Sequence, residues 1–410
     1  MRLSPMLAGL VLMACREGGG EFGAGASVRD SAGVTIVSNS EPAWPADSGW
    51  RVADAPRLDL GGPDALSLGD VVGAVRTPAG AIAVADGRAQ VIRVFGPDGR
   101  LLRSLGRRGA GTGEFQGLVW VGHAGDTLLA FDLLSRRVTI FGSAGRTRTV
   151  QLQARGPGPI LPLGRLEDGR LLIRSGGARF PFAGEEREVR ADSALVLAVG
   201  PDGATRDTLV HLAAGQTFGV AIGSGDGRFL APIPLPFGRR SSVVLSGETI
   251  VVGEGERYEL LVHALDGTLL RRIRRKYAAV PVTPEAVAAF RATAEVPEDS
   301  RGLQGRIDSA TVAAFDSAPF PAQMPAFERV LADDVGNLWV LEYSIRLDQP
   351  RRWSVFTPEG RWLGDVLTPA GLRIEDVGSD WLLGVWRDNE GADRVRMYRI
   401  IHPGKSEAVQ

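Results

Sequence analysis

The sequence repeats one short unit, in which two strand-like segments of apolar residues flank a tight turn that ends in glycine. The turn reads Pro-Asp-Gly at 97–99 and 201–203, Ala-Gly at 144–145, Asp-Gly at 266–267 and Glu-Gly at 359–360. Such a turn between alternating strands is a strong hairpin signal, because glycine adopts the positive φ that the turn requires. A chain that repeats this unit is restricted to architectures built from many copies of one small β motif.

A second element precedes each hairpin. It is a near-continuous apolar run of strand length, and it occurs at 80–86, 125–132, 169–175, 247–254, 336–342 and 380–386. Such runs are typical of strands that are covered on both faces. Another short strand is predicted before most of the runs, so each unit has four antiparallel strands and there are six units. Four-stranded sheets repeated radially are the blades of a β-propeller. The sequence therefore predicts an all-β fold, a single six-bladed β-propeller.

The motifs of these units resemble those of NHL-repeat-like six-bladed propellers. The resemblance rests on the hairpin at 91–102 and on the Gly-rich stretch Gly109–Phe115, which ends in Glu-Phe. We place the propeller at 33–401. Some six-bladed relatives are metal-dependent lyases or lactonases, and their metal ligands do not map onto this sequence.

Two features depart from the repeated pattern. The sixth unit has no hairpin partner after its last strand, and an open ring would leave exposed strand edges. An early segment, either 33–38 or 50–52, could supply the missing outer strand. The other departure is a short helical insertion, about 283–318, between the fourth and fifth blades. Its first helix is indicated by Thr283, a proline at the next position and an early glutamate, and a second helix is expected near 305–315.

The N-terminus has the pattern of an export signal: a basic start and a short apolar run over residues 1–14. The only cysteine follows, and Leu12–Cys15 resembles the lipobox of bacterial lipoproteins. That resemblance implies that Cys15 is lipidated and anchors an extracytoplasmic protein, which faces the periplasm or lies on the outer membrane. Residues 15–32 are then a flexible tether, and 402–410 a C-terminal tail. The alternative is an accidental hydrophobic N-terminus with an inert thiol.

The composition argues against several classes of function. The chain has 47 basic and 48 acidic residues, and this balance argues against nucleic-acid binding, which needs a basic face. No run of 18 apolar residues occurs, so no membrane-spanning helix is predicted and the membrane contact is by lipid anchor only. The few histidines do not converge, and no serine-hydrolase, zinc-protease or phosphate-loop motif is present. The sequence leaves catalysis open but favours a binding protein.

The connections indicate which face binds. In a four-stranded antiparallel blade, the turns after the first and third strands share one face, and the other connections share the opposite face. The long segments all belong to the second group: 106–117, 176–193, 213–238, 275–325 and 344–351. Binding residues are concentrated on long loops held by a rigid scaffold. We expect a monomer that binds a cell-envelope protein, peptide or glycan through this face. The competing interpretation is that these surface loops are long only because the fold tolerates insertions there, without a binding role.

Candidate binding residues lie on the same face. Five of them follow or end the second strands or occupy the equivalent position, and three lie in the long loop of the third blade: Asp86, Asp132, Glu254, Glu342, Trp386, Arg179, Phe180 and Phe182. Carboxylates could ligate Ca²⁺, with Asp132, Glu254 and Glu342 as the metal candidates of a hydrolase or lyase, such as a lactonase-like enzyme. Otherwise no cofactor is expected. Alternatively, each acid anchors its own turn and pairs with a nearby arginine, namely Arg88, Arg136, Arg257 or Arg346.

Overall fold

The computed structural model describes residues 25–45, 48–62, 67–142, 145–153, 158–177, 186–223, 225, 228–294, 296, 302–346, 348–388 and 390–403. Within these ranges the chain forms six β-sheets and two α-helices. None of the described helices is long and apolar enough to cross a membrane. Cys15, Arg179, Phe180 and Phe182 lie outside the described residues.

The strands follow the repeated units. Four precede the first unit: β1 (Ala26–Ser31), β2 (Val34–Asn39), β3 (Arg51–Val52) and β4 (Leu58–Leu60). Sheet one contains β5 (Val71–Arg76), β6 (Ile82–Asp86), β7 (Val91–Phe95) and β8 (Leu101–Leu105). Sheet two contains β9 (Leu118–Ala124), β10 (Thr127–Asp132), β11 (Arg137–Phe141) and β12 (Thr147–Gln151). Sheet three contains β13 (Ile160–Arg165), β14 (Leu171–Gly176), β15 (Val189–Val199), β16 (Thr205–Ile222) and β17 (Phe229–Pro234).

The remaining sheets follow the same order. Sheet four contains β18 (Ser242–Ser246), β19 (Thr249–Gly253), β20 (Glu259–Ala264) and β21 (Leu269–Arg275). Sheet five contains β22 (Phe327–Ala332), β23 (Leu338–Glu342), β24 (Arg351–Phe356) and β25 (Trp362–Thr368). Sheet six contains β26 (Arg373–Val377), β27 (Trp381–Arg387) and β28 (Asp393–Ile401). Consecutive strands of each unit pair antiparallel.

The sheets are arranged around a ring. The first strands contact one another in order, from β5 to β9, β13, β18, β22 and β26, and β26 returns to β5. Apolar clusters cross the boundaries between sheets, and one of them joins Ala85 and Ile92 of sheet one to Val121 and Leu128 of sheet two. The second strands are covered on both faces as predicted, and every residue of β6 is buried. This radial arrangement of antiparallel sheets is that of a β-propeller.

The glycine of the repeated turn has two structural duties. Gly203 has a φ of +84°, and a Cβ added there would lie 1.8 Å from the carbonyl oxygen of Gln151, in the outer strand of the preceding sheet. The turn therefore needs the left-handed conformation and also the space that a missing side chain leaves. At Gly99, in sheet one, an added Cβ would lie 2.7 Å from Leu58 of β4. The first sheet therefore packs against the N-terminal strand that completes the last one.

Ring closure uses strands from both ends of the chain. β4 pairs antiparallel with β28, with Leu60 opposite Val395, and the carboxylate of Asp59 accepts from Arg394 and Arg396 at 2.9 and 3.0 Å. β3 pairs with the end of β28. Of the two predicted candidates, 50–52 contributes to closure, whereas 58–60, which the sequence did not single out, supplies the longer pairing.

The other predicted candidate, 33–38, has a different partner. β2 runs parallel to β21 and extends sheet four, and β1 pairs with β2. The prediction of a flexible tether over 15–32 is therefore wrong for residues 26–31. The buried Asn39 ends β2, donating to the carbonyl oxygens of Arg274 and Gly360 and accepting from the backbone of Trp362.

The third sheet also departs from the prediction. The 18-residue β16 extends far beyond the unit and pairs with β15 and β17, so the predicted long loops at 176–193 and 213–238 are partly strand. The helical insertion is confirmed as α1 (Pro284–Thr293), capped by the Thr283 hydroxyl, and α2 (Gly302–Ala314). Ile307, Ala310 and Ala314 of α2 pack on the apolar side chains of the β16 extension, and therefore cover a surface that would otherwise be exposed.

Candidate functional site

Asp86 and Asp132 end the second strands of sheets one and two, and both are buried. The carboxylate of Asp132 accepts backbone N–H bonds from Gln116 at 2.6 Å and from Ser135 at 2.9 Å. Burial by itself would raise the pKa of Asp132, but these backbone donors outweigh it and hold the pKa below its usual value. Asp132 therefore anchors its own turn.

Asp86 has the same arrangement. Its carboxylate accepts from the backbone of Gly69 at 3.1 Å and of Ala89 at 2.8 Å, and pairs with Arg93. Burial opposes ionisation, but these donors lower the pKa of Asp86 overall. Both carboxylates accept backbone N–H bonds from their own turns, which is the hydrogen-bonding part of the turn-anchor interpretation. Asp86 also forms an ion pair with Arg93 of the third strand, a partner that the sequence analysis did not name.

Glu342 belongs to a charge network between sheets four and five. Arg275 donates to the Glu342 carboxylate at 2.5 Å and to the Ser354 hydroxyl at 2.6 Å, and Ser354 donates to Asp365 at 2.8 Å. The Arg275 guanidinium also lies over the Trp362 ring, 3.9 Å from its centroid. The side chain that the sequence offered as a metal ligand thus holds two sheets together.

The remaining candidates are also held apart. The Glu254 carboxylate accepts from the backbone N–H of Ala213 at 2.8 Å, and Trp386 stacks under the guanidinium of Arg396. Among the described residues, no group of three histidine, cysteine or acidic side chains could hold a metal ion. The structure therefore does not bring Asp132, Glu254 and Glu342 together as a metal site.

Sequence reasoning missed a cavity of about 530 Å³ between sheets four, five and six. It lies where β18, β22 and β26 begin and β23 ends, which is the face that carries the long connections. We call it the arginine cavity, because its lining includes four arginines beside an apolar wall: Arg240, Arg329, Arg351 and Arg373, with Leu341, Trp353, Leu372 and Ile374.

Two of the four arginines have carboxylate partners. Arg351 pairs with Glu328 at 2.5 Å, and Arg373 pairs with Glu375 at 2.7 Å. Burial raises the pKa of Glu375, although Arg329 and Arg373 oppose this shift. Arg373 also donates to the carbonyl oxygen of Val71 in sheet one, so it links the last sheet to the first. The charges of Arg351 and Arg373 are therefore balanced by carboxylates of the fold itself.

The other cations are not balanced in this way. Arg329 donates to the carbonyl oxygen of Ile374 and makes no ion pair with a described carboxylate, but it attracts the nearby Glu375 carboxylate and so opposes the rise of its pKa. Arg174 donates to the Ser241 hydroxyl at 3.0 Å, and burial lowers the pKa of its guanidinium. Within the described residues, the guanidinium of Arg240 has no hydrogen bond or ion pair. It lies near Tyr343, whose pKa is raised mainly by burial. The cavity therefore has an excess of positive charge.

These arginines come from separate sheets, which explains why the sequence did not reveal them. The one local signal is a polar residue at or next to the start of three first strands: Ser242, Glu328 and Arg373. Such residues are common at strand ends. Only the ring arrangement brings them to one cavity.

Comparison with known proteins gives the fold alone. No protein-family profile matches this chain. No curated protein matches it either. Among solved structures, a member of the duf4221 family from Bacteroides vulgatus is 9% identical, with a TM-score of 0.51, over 87% of this chain and 99% of that one. Virginiamycin B lyase from Staphylococcus aureus is 10% identical, with a TM-score of 0.40, over 85% and 99%. A gluconolactonase from Xanthomonas campestris is 16% identical, with a TM-score of 0.39, over 88% and 98%.

Proposed function

We propose that this protein is a six-bladed, NHL-repeat-like β-propeller that is exported, lipid-anchored through Cys15 and used as a binding or scaffolding module. The six described sheets, whose first strands contact one another in a ring, support this blade count. Its partner is a protein, peptide or glycan of the cell envelope, which it meets on the face that carries the long connections.

The observation that carries the proposal is the arginine cavity on that face. Its size suits a ligand group or a protruding side chain, since small-molecule sites occupy roughly 300–1,000 Å³. The acids that could have formed a metal centre are engaged elsewhere, Asp132 by its turn and Glu342 by Arg275. The chemistry presented on this face is therefore cationic and apolar, which favours binding.

The binding face is tested by site-specific photo-crosslinking in the native host. One probe replaces the exposed Gln349 in the connection before β24, and the matched probe replaces the exposed Glu248 in a turn of the opposite face. We expect a discrete adduct from position 349 and none from 248. Equal labelling at both positions, or no adduct at 349, would contradict the proposed face.

Membrane attachment is tested separately. Wild type should incorporate a labelled fatty acid and fractionate with membranes. Cys15→Ser should incorporate none and should accumulate as the unprocessed precursor. Incorporation that is equal in both proteins would show that Cys15 is not the anchor.

A further inference from the structure

We propose that the arginine cavity binds an organic anion, with a carboxylate or phosphate group held by Arg240 and Arg329 and an apolar portion lying against the Trp353 side of the cavity. The inference rests on the proposed binding function and specifies its ligand. It depends on the charge, the donor geometry and the lining of the cavity.

Charge is the first consideration. Arg240 lines the cavity without an ion pair among the described residues, Arg329 has only the attraction of the buried Glu375, and Arg174 contacts Ser241 of the lining. All three side chains are partly buried. A partly buried cation without a counter-charge is costly, because it loses hydration and gains no ion pair. A bound anion would supply the missing counter-charge.

Donor geometry selects the ligand group. Guanidinium presents a planar fork of N–H donors that matches the two oxygens of a carboxylate or phosphate. One N–H group of Arg329 donates to the carbonyl oxygen of Ile374, and this bond fixes the orientation of the guanidinium. Arg240 makes no such bond within the described part of the chain, so its donors are free to meet a ligand. Arg240 is therefore the residue on which recognition depends.

The lining indicates that the anion carries an apolar group. The cavity of about 530 Å³ is far larger than an inorganic ion requires. Leu341, Trp353 and Ile374 form part of its lining and belong to the core, with 8%, 2% and 4% of their surfaces exposed. Contact with such a surface removes apolar area of the ligand from water, which a free phosphate ion cannot exploit.

The test uses the detergent-solubilised full chain and four probes: phenyl phosphate, phenylacetate, inorganic phosphate and the neutral 2-phenylethanol. We expect isothermal titration calorimetry to give a Kd below about 1 mM for at least one aromatic anion. Binding should weaken as sodium chloride is raised, because screening reduces the attraction of a partly exposed cation. The neutral alcohol and inorganic phosphate should each bind at least roughly tenfold more weakly.

Variants separate this site from nonspecific attraction. Arg240→Gln should weaken the aromatic anion at least roughly tenfold, about 1.4 kcal/mol, and leave the circular dichroism spectrum unchanged. Arg100→Gln, at an exposed arginine in the hairpin turn of sheet one, is the matched control and should leave binding unchanged. Equal weakening by both variants, or none by Arg240→Gln, would overturn the assignment.

The outcomes also distinguish this inference from the proposed function. If no anionic probe binds wild type but position 349 still crosslinks, the ligand class is wrong and the binding face stands. If inorganic phosphate binds as tightly as phenyl phosphate, the apolar part of the inference is wrong. If anions bind but no crosslink forms, the cavity is a small-molecule site and the macromolecular partner is wrong.

Discussion

Replacing Asp132 tests most directly whether the acids at the strand ends are structural. Its carboxylate satisfies the backbone N–H groups of Gln116 and Ser135 in a position where the residue is only 1% exposed. In Asp132→Ala both donors lose their acceptor. In Asp132→Asn one carbonyl oxygen remains, but the amide nitrogen that replaces the other oxygen faces an N–H group and cannot accept from it.

The magnitude follows from the cost of unsatisfied donors, about 1–3 kcal/mol for each buried group. Two lost bonds in Asp132→Ala therefore cost about 2–6 kcal/mol of unfolding free energy, and one lost bond in Asp132→Asn costs about 1–3 kcal/mol. The exposed Asp126, at a turn on the opposite face, is the control, and Asp126→Ala should change stability by no more than about 0.5 kcal/mol.

The pKa adds a second test with a definite sign. Because the pKa of Asp132 is lowered in the folded state, its stabilising contribution is complete above the unfolded value of about 3.9. It is lost as the pH falls through the lower folded value. Urea unfolding of wild type and Asp132→Asn should therefore show a constant gap from about pH 8 to pH 5, and a shrinking gap below about pH 4.

Calcium distinguishes the turn anchor from a metal ligand. A Ca²⁺ ion that binds only the folded state would stabilise wild type in proportion to its occupancy. The turn-anchor interpretation predicts the same gap between wild type and Asp132→Asn with calcium or with EDTA. A gap that appears only with calcium would refute the reasoning, and so would a gap below about 0.5 kcal/mol at pH 7.

Three other substitutions test the ring. In Gly203→Ala the new Cβ meets a carbonyl oxygen at 1.8 Å, and the substitution should cost about 3–5 kcal/mol of unfolding free energy. The control Gly125→Ala, at a φ of +55° with no atom within 4 Å, should cost about 1 kcal/mol. Equal losses in urea titrations would argue against the close packing of turn and strand. Asp59→Asn removes two ion pairs at the ring closure and should cost about 1–2 kcal/mol of unfolding free energy at low salt and less at 1 M salt. Thermal unfolding measures the loss, and a loss that does not depend on salt would contradict the role of these ion pairs. Arg275→Gln removes the arginine that pairs with the Glu342 carboxylate at 2.5 Å and should cost about 2–3 kcal/mol of unfolding free energy. This is below the range for fully buried pairs because the Glu342 side chain is 26% exposed. A loss under about 0.5 kcal/mol in urea unfolding would show that the network does not stabilise the fold.

The parts of the fold that could be predicted are those that local pattern determines. Alternating apolar residues and the Asp-Gly turns indicated the strands, because burial on a sheet face and a positive φ each leave a signature within a few residues. β4 left no such signature. It has three residues, and its partner Val395 lies at the other end of the chain. Closure was thus predictable as a requirement, but the segment that meets it was not.

The sequence could not distinguish a metal ligand from a turn anchor, for a related reason. A carboxylate at the end of a strand has the same local sequence whether it ligates a cation or accepts N–H bonds from its own turn. Asp86 and Asp132 take the second role because each turn directs backbone donors at the carboxylate. Arg240 and Arg329 carry no signature of their own, and their significance arises only when neighbouring sheets place them beside one cavity.

The N-terminal segment contacts the same three sheets that line that cavity. Between β2 and β4 it contacts the outer strands of three consecutive sheets: β2 pairs with β21 of sheet four, the backbone N–H of Trp44 donates to the carbonyl oxygen of Leu363 in sheet five, and β4 pairs with β28 of sheet six. The Trp50 ring lies between those of Trp44 and Trp339 and so joins this segment to the core of sheet five. Sheets four, five and six are also the three that line the arginine cavity. A site that concentrates cations must resist being pushed apart by their repulsion. Under the proposed function, the N-terminal strands that join these three sheets also keep the arginines of the binding site in position.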